Sequence, residues 1–237
     1  MDARESRRSL PGCLVLVVGP SGAGKDSLIR HARERLAGDP RFAFPRRFVT
    51  RPPSDAEDNI PVSPSQFASM SAEGAFAASW TAHGLSYGIP ATVDVGLAAA
   101  CSVVCNVSRT VVQDLRKRYA NVFVIEVTAP SEILASRLAA RGRATDGDAS
   151  ERLRRSSDLG SALVDHTVTN AGALEPACEA FLKALVDSRP CAGPSASPVV
   201  ARPSGTAPSD HDQQATEAAR PIPPSLASSR TRPAEHS

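Results

Sequence analysis

Near its N-terminus the chain reads Leu14-Val-Leu-Val-Val-Gly-Pro-Ser-Gly-Ala-Gly-Lys-Asp-Ser-Leu28. The branched apolar residues 14–18 predict a strand that is buried on both faces, and the glycines after it predict a tight loop that leads into an amphipathic helix. The backbone N–H groups of such a loop can point inward at an anion, and the helix presents its positive N-terminal end to the same anion. A strand, a glycine-rich loop with a lysine and a helix, in this order, are typical of a phosphate-binding loop.

This loop predicts a nucleotide site in which Lys25 reaches the β- and γ-phosphates. The residues predicted to bind the nucleotide are Gly19, Pro20, Ser21, Gly22, Ala23, Gly24, Lys25, Asp26 and Ser27. The usual motif continues after the lysine with Ser or Thr, whose hydroxyl ligates Mg²⁺, whereas this chain has Asp26 and only then Ser27. Either Asp26 supplies a carboxylate oxygen to the metal, or the metal is held through water, and Asp26 and Ser27 are both candidate metal residues.

The composition limits the class of protein. A chain of 237 residues suits one domain with additions or two small ones, and an apolar content of 41% supports a core. The net charge of +2 gives no sign of a nucleic-acid or membrane partner. The charged residues 1–8 run into the first strand without a cleavable apolar segment, so we expect a cytoplasmic protein. Five cysteines without paired spacing are expected to be buried thiols, and the oligomeric state stays open.

Strand and helix patterns alternate along most of the chain. Strands are predicted at 13–18, 44–50, 76–81, 85–88, 102–106, 122–127 and 164–169, and helices at 24–37, 64–73, 90–100, 109–118, 130–141, 149–158 and 173–187. This alternation predicts an α/β fold, a parallel sheet wound by helices on both faces. Ligands of such sheets bind beyond the carboxyl ends of the strands, where Gly19, Asn106 and Thr128 are expected.

The domain organisation follows from the same patterns. Residues 1–11 are predicted to be a polar tail, and residues 12–187 to be a P-loop domain. Within that domain, residues 40–100 are expected to bind the acceptor, a second substrate that carries phosphate. Residues 141–158 are expected to form a lid. Residues 188–237 are rich in Pro, Ser and Ala without apolar periodicity, and they are predicted to be a disordered tail.

Arginines and polar side chains follow the first helix in four places. The segment Arg46-Arg-Phe-Val-Thr-Arg51 is a candidate phosphate clamp, because guanidinium groups bind phosphate with two parallel hydrogen bonds. A solvated basic loop is the alternative interpretation. The other three places are an acidic pair at 57–58, an aromatic polar stretch at 80–90 and the strand end at 106–109. The candidate acceptor residues are Arg47, Arg51, Glu57, Asp58, His83, Tyr87, Asn106 and Arg109.

Two arginine clusters surround a loop of Gly and Asp near residue 145. They are Arg137, Arg141 and Arg143 before the loop, and Arg152, Arg154 and Arg155 after it. Arginines on a hinged helical hairpin suit a lid that closes over a polyphosphate, although a solvated face would need no such explanation. We expect Lys25, Arg137, Arg141 and Arg152 to be the catalytic residues.

The order of these motifs resembles the guanylate kinase group of nucleoside-monophosphate-kinase-like proteins. The resemblance covers residues 12–187 and rests on the loop, Thr50-Arg51-Pro52-Pro53, Tyr87-Gly88, Arg137-Leu-Ala-Ala-Arg-Gly142, Arg152-Leu153 and Val168-Thr-Asn170. Within that group, four segments resemble the ribose 1,5-bisphosphate phosphokinase family, which is similar in carrying Asp after the loop lysine. They are the loop itself, Val49-Thr-Arg-Pro52, Ala82-His-Gly-Leu-Ser-Tyr-Gly-Ile-Pro90 and Asn106-Val-Ser-Arg109.

The resemblance implies ATP-dependent conversion of ribose 1,5-bisphosphate to 5-phospho-α-D-ribosyl 1-diphosphate (PRPP) with Mg²⁺, a reaction of phosphonate breakdown. Guanylate kinases usually carry Asp-x-Asp where this chain has Cys105-Asn106-Val-Ser108, and a Glu-rich guanine-reading segment where it has Ala77-Ala-Ser-Trp-Thr-Ala-His83. The missing acids speak against an acceptor with a guanine base. A nucleoside monophosphate kinase and a catalytically silent kinase-like interaction module remain the alternative hypotheses.

Overall fold

A five-stranded parallel sheet carries the phosphate-binding loop in the computed structural model, which describes residues 7–52, 58–141 and 163–188. Its strands, in spatial order, are β2 (Phe42–Ala43), β7 (Ser102–Asn106), β1 (Cys13–Val18), β8 (Val122–Thr128) and β9 (His166–Thr169). Every neighbouring pair is parallel. Because β1 lies in the middle, its residues are buried on both faces, and the sequence prediction for this strand is confirmed.

Helices cover both faces of this sheet. They are α1 (Lys25–Arg35), α3 (Val93–Ala98), α4 (Val112–Arg118), α5 (Ser131–Arg141) and α6 (Leu174–Asp187), whereas α2 (Pro64–Ala72) packs on the second sheet described below. Side chains of β1 alternate between two cores. Val15 and Val17 pack with α1 and α6, whereas Leu14 and Leu16 pack with α3 and α4. The predicted α/β architecture with helices on both faces is therefore confirmed.

A second sheet of four strands lies between α1 and α3 in the sequence. Its spatial order is β4 (Ile60–Pro61), β3 (Phe48–Val49), β6 (Leu85–Pro90) and β5 (Phe76–Ala82). The pairs of β6 with β3 and with β5 are antiparallel. Phe76 stacks on Phe67 of α2 with ring centroids 4.6 Å apart. A Cβ added to Gly88 would come within 2.6 Å of that same Phe76 ring, so glycine is needed where β6 crosses it.

Three sequence predictions about element boundaries are wrong. Residues 44–50 are not one strand: β2 ends before Pro45 and β3 begins after it, in different sheets, because proline lacks the N–H that a sheet ladder needs. Pro90 does not open a helix; it ends β6, and α3 begins at Val93. Ser108 caps a short 3₁₀ turn, Arg109–Val111, before α4 starts.

Other boundaries follow the local chemistry that the sequence shows. Ser63 caps α2: its Oγ accepts a hydrogen bond from Gln66 N at 3.2 Å, and Gln66 Oε1 accepts one from Ser63 N at 2.9 Å. The predicted lid helix at 149–158 lies outside the described residues, as do residues 1–6 of the predicted tail 1–11 and residues 189–237 of the predicted tail 188–237. Of the described part of the first tail, Arg8 N donates to the carbonyl of Arg118 at 2.8 Å. Within the part that is described, no helix combines the length and apolar character needed to cross a bilayer.

Candidate active site

The phosphate-binding loop is a tight turn that rests on neighbouring strand ends. Gly19 and Gly24 have φ angles of 143° and 93°, which L residues with a side chain rarely adopt. A Cβ on Gly19 would overlap the carbonyl of Val127 in β8, and one on Gly24 would overlap the amide of Asn170. The loop therefore requires glycine at both places for conformation and for space.

Lys25 is the first residue of α1 and folds back over the loop. Its Nζ donates hydrogen bonds to the carbonyls of Gly19 at 2.8 Å and of Pro20 at 2.9 Å. The ammonium group is thus held above the loop concavity, where the backbone N–H groups and the helix N-terminus favour an anion. The contact of Lys25 with phosphates stays a prediction from the sequence.

Two polar side chains from other elements hold the loop from outside. Asn170, directly after β9, is 2% exposed, and its Nδ2 donates to the carbonyl of Ala23 at 2.9 Å. Arg137 of α5 donates to the carbonyls of Gly22 and Asn170, each at 3.4 Å. Arg137 was predicted as catalytic and does lie at the loop. Asn170 was not among the predicted site residues, although a polar residue at the end of the last strand was the available signal.

Asp26, in the first turn of α1, joins three elements. Its Oδ1 accepts a hydrogen bond from Asn106 Nδ2 at 2.7 Å, at the end of β7. The same oxygen lies 3.9 Å from Arg47 Nη2, directly before β3. Asn106 and Arg47 were both predicted as acceptor residues, and the structure brings them together on the residue that departs from the usual loop.

Arg47 continues into an aromatic stack on the second sheet. Its guanidinium carbon lies 5.3 Å from the centre of the Tyr87 ring, and Tyr87 stacks on Trp80 at 5.4 Å with 7° between the planes. Arg47 Nε also donates to Asn59 Oδ1 at 2.9 Å. Trp80 packs in addition against the core beneath the sheet. Trp80 therefore joins the aromatic stack to the core beneath the second sheet.

Arg109 forms a separate ion pair on the other face of the sheet. Its Nη2 donates to Glu126 Oε1 of β8 at 2.6 Å, and the two side chains are 17% and 23% exposed. Sequence reasoning missed Glu126. The signal was an acid near the carboxyl end of an otherwise apolar strand, Val-Phe-Val-Ile-Glu-Val.

Some predicted site residues lie apart from this group. Asp58 is engaged by ion pairs with Arg33 of α1 and with Arg46. His83 is exposed and occupies the β5–β6 hairpin turn at φ 54°, three residues beyond Trp80 and roughly 10 Å along the strand. Arg51 is partly buried two residues after β3. Glu57, Arg152 and the side chain of Arg141 lie outside the described residues.

The described cysteines, Cys13, Cys101, Cys105 and Cys178, are free thiols, and all but Cys101 are buried. Burial raises the pKa of Cys105, next to Asn106, to about 12. Burial is also the main cause that raises the pKa of Cys13 to about 11. Such thiols stay protonated at neutral pH and are poor nucleophiles. The prediction of buried thiols is confirmed for three of these four described cysteines.

A cavity of about 740 Å³ lies between β5 and α4, away from the predicted site residues. Its lining combines an apolar floor with a charged rim that includes Arg8, Asp114 and Lys117. Two of these cations are already paired, Arg8 with Asp94 and Lys117 with Asp114 at 3.2 Å. No residue assigned to phosphate binding lines it.

The fold is similar to that of a known kinase. The guanylate kinase of Anaplasma phagocytophilum superposes with a TM-score of 0.55 and 16% identity, over 76% of this chain and 88% of that one. At this identity the likeness speaks for the fold alone. The fold and the loop together define a P-loop nucleoside-triphosphate-binding domain of the guanylate kinase type, as the sequence predicted.

Sequence relatives give the family. The ribose 1,5-bisphosphate phosphokinase PhnN of Methylobacterium radiotolerans is 53% identical over 182 residues, which are 77% of this chain and 100% of the relative. The protein of the same name from Bradyrhizobium diazoefficiens is 52% identical over 165 residues, 70% of this chain and 83% of the relative. No protein-family model matches. The chain belongs to the ribose 1,5-bisphosphate phosphokinase family, and the resemblance seen in the sequence is confirmed.

Proposed function

We propose that the protein transfers the γ-phosphoryl group of ATP to ribose 1,5-bisphosphate and forms PRPP and ADP. Family membership supports this reaction. The observation that carries it for this chain is the contact of Arg47 with the first turn of α1, 3.9 Å from Asp26. A phosphate bound by Arg47 lies beside the phosphates bound by the loop, which is what transfer between two phosphate groups requires.

The donor half of the site holds the triphosphate. The loop amides and the N-terminus of α1 bind the β- and γ-phosphates. Lys25 exchanges its contacts with the carbonyls of Gly19 and Pro20 for phosphate oxygens when the nucleotide enters. Arg137 lies next to Gly22 and neutralises charge that develops on the transferred group. Arg141 and Arg152 stay predictions from the sequence for the same role.

The metal requires oxygen ligands, and the first turn of α1 offers two, Ser27 and Asp26. One oxygen of Asp26 already accepts the amide of Asn106, so the residues fit a metal held by the Ser27 hydroxyl. Bound Mg²⁺ neutralises charge on the β- and γ-phosphates.

The acceptor half of the site uses arginines instead of acids. Arg47, Arg51 and Arg109 bind the acceptor phosphates, because guanidinium groups match phosphate geometry. Tyr87 and Asn106 contact the sugar part of the acceptor. The attacking oxygen belongs to a phosphate that is already anionic, so alignment with the γ-phosphoryl group matters and a strong general base is not needed.

The test is an acceptor comparison with purified protein. ADP release is measured with Mg²⁺ and ATP plus ribose 1,5-bisphosphate, GMP or AMP, and ³¹P NMR identifies the product. We expect turnover with the sugar bisphosphate alone. Lys25→Ala lowers kcat by about 10²–10³-fold, as the loss of a main charge-stabilising group does. Lys183→Ala, on the exposed side of α6, is the control and keeps wild-type kcat.

The second candidate, a nucleoside monophosphate kinase, comes from the sequence, where the order of the motifs resembles the guanylate kinase group. Turnover with GMP and none with the sugar bisphosphate would replace the proposed reaction by that one. ATP binding without turnover of any acceptor would instead favour the catalytically silent interaction module. Because binding and turnover are measured on the same preparation, the three outcomes are distinguishable.

A further inference from the structure

Asp26 makes contacts with two other side chains that a serine or threonine at this position could not both make. Asp26 Oδ1 accepts the Asn106 amide at 2.7 Å and faces the Arg47 guanidinium at 3.9 Å. A hydroxyl is uncharged and shorter, so it would leave Arg47 without this ionic partner. The departure from the usual loop therefore coincides with a contact that only a carboxylate makes.

We propose that Asp26 is a positioning residue for the acceptor site: it orients Arg47 and Asn106 and links the phosphate-binding loop to the second sheet, instead of ligating the metal. The inference rests on the proposed function, since it assigns Arg47 to the phosphate acceptor. It goes beyond that function by giving the unusual loop residue a role in acceptor binding.

The link reaches the second sheet through a continuous set of contacts. Arg47 belongs to that sheet by its backbone, because its carbonyl accepts a hydrogen bond from Ile60 N at 2.9 Å beside β4. Its guanidinium group then packs over Tyr87, which stacks on Trp80. Asp26 thus contacts the Arg47 side chain, which two strands of the second sheet hold in place.

Partial burial makes the attraction between Asp26 and Arg47 stronger than that of an ion pair at the surface. The Arg47 side chain is 14% exposed and the Asp26 side chain 36% exposed, so water screens the pair only in part. Without Asp26 the guanidinium group gains rotamer freedom, which it must lose again when phosphate binds. Acceptor affinity then falls, while the loop that binds the nucleotide keeps its own contacts.

Asn106 depends on the same carboxylate. Its Oδ1 is buried and has no hydrogen-bond partner among the residues that the structure describes. The orientation of the amide is therefore set by the bond from its Nδ2 to Asp26. Removal of the acid frees the amide to rotate, so two proposed acceptor contacts are lost with one side chain.

The two possible roles of Asp26 differ in which ligand they affect. If Asp26 is a metal ligand, its substitution changes the ratio of the dissociation constants for Mg²⁺·ATP and metal-free ATP. If Asp26 is a positioning residue, its substitution raises the KM for the acceptor and leaves that ratio unchanged. Asp26→Asn removes the charge at constant shape, Asp26→Glu keeps the charge, and Asp114→Asn is a matched control on exposed α4, with its side chain 77% exposed.

We expect Asp26→Asn to raise the KM for ribose 1,5-bisphosphate about tenfold, within the range for a lost hydrogen bond to a charged group. Calorimetric dissociation constants for ATP with and without Mg²⁺ keep their ratio within about threefold, which is smaller than a lost direct ligand would produce. Asp26→Glu recovers part of the acceptor affinity, and Asp114→Asn changes nothing. A weakened Mg²⁺·ATP complex with an unchanged acceptor KM would overturn the proposal.

A double-mutant cycle tests the link to Arg47 itself. If Asp26 acts through Arg47, Asp26→Asn raises the acceptor KM of Arg47→Gln by a smaller factor than it raises that of the wild type, because only Asn106 still depends on the acid. Fully additive effects would show that the two residues act separately and would contradict the proposal. The cycle also remains informative where Asp26→Asn folds poorly, since Asp26→Glu can replace it.

Trp80 gives a readout that needs no turnover. It is the only tryptophan of the chain, and it stacks on the Tyr87 ring that Arg47 covers. We expect Asp26→Asn and Arg47→Gln to change its emission in the same direction without any ligand, whereas Asp114→Asn leaves it unchanged. If wild-type protein does not turn over the sugar bisphosphate, the proposed function fails, and this emission still decides whether Asp26 orients Arg47.

Discussion

Arg109 Nη2 donates to Glu126 Oε1 at 2.6 Å, across the carboxyl edge of the central sheet. Glu126 pairs in register with Val18, the last residue before the phosphate-binding loop. The acid therefore fixes one arginine at the same edge where Asp26 faces another. Arg47 and Arg109 thus each have a carboxylate partner next to the loop, Asp26 on α1 and Glu126 on β8. Neither carboxylate belongs to the second sheet.

Glu126→Gln tests whether this pair positions Arg109. The amide keeps the shape of the side chain but loses the charge, so Arg109 is held less firmly when an acceptor phosphate arrives. We expect the KM for ribose 1,5-bisphosphate to rise about fivefold, the size of a typical net hydrogen bond, because the amide oxygen of Gln can still accept from Arg109. The KM for ATP stays the same. Initial rates at varied acceptor with saturating ATP measure the first KM, and initial rates at varied ATP with saturating acceptor measure the second.

The comparison for this variant is Arg109→Lys, which keeps the charge but loses the forked geometry. If Arg109 binds phosphate, Arg109→Lys raises the acceptor KM more than Glu126→Gln does. An effect of Glu126→Gln on the KM for ATP alone would indicate that the acid serves the loop, not the acceptor arginine.

Asn170→Ala tests the support of the loop from β9. The side chain is 2% exposed and donates to the carbonyl of Ala23, so its removal leaves a buried acceptor without its donor. Such a loss costs about 1–3 kcal/mol. We expect a lower free energy of unfolding in urea titrations and a weaker ATP complex in calorimetry, with saturating ATP restoring part of the stability. Unchanged ATP affinity at reduced stability would mean that Asn170 supports the fold but not the loop conformation.

The sequence was sufficient where chemistry is local. The apolar run at 14–18, the glycines of the loop and the box formed by Ser63 and Gln66 each specify their structure through neighbours in the chain. The alternation of strands and helices then specified the parallel sheet. These features need no knowledge of long-range packing.

The sequence was insufficient where a residue acts through distant partners. The second sheet combines segments as far apart as Phe48 and Pro90, and two-residue strands leave no periodicity to read. The pair of Arg109 with Glu126 joins residues from different elements, and no motif relates them. Asp58 was predicted as a site residue because it lies in the loop after the arginine segment, but the contacts that place it beside Arg33 depend on how α1 packs.

Thiol reactivity should follow burial. Burial raises the pKa of Cys105 to about 12 and contributes most to raising that of Cys13 to about 11, so the folded protein holds both as thiols at pH 8. Unfolded cysteines ionise near pH 8.5. Deprotonation therefore favours the unfolded chain as the pH rises above that value towards 11 or 12. We expect slow labelling of these two by a disulfide reagent at pH 8 and fast labelling in denaturant. Fast labelling of Cys105 in native protein, located by peptide mass, would contradict its burial.

Tyr87 separates stacking from hydrogen bonding in the acceptor site. Its ring lies between the Arg47 guanidinium group and Trp80, while its hydroxyl is a proposed acceptor contact. Tyr87→Phe keeps the ring and so keeps Arg47 in place; Tyr87→Ala removes both functions. If the ring positions Arg47, Tyr87→Ala raises the KM for the sugar bisphosphate about tenfold more than Tyr87→Phe, a difference in the range of a cation–π contact together with lost packing. Equal effects of the two variants would assign the role to the hydroxyl alone. Trp80 emission provides the internal check, because it should respond to Tyr87→Ala and hardly to Tyr87→Phe.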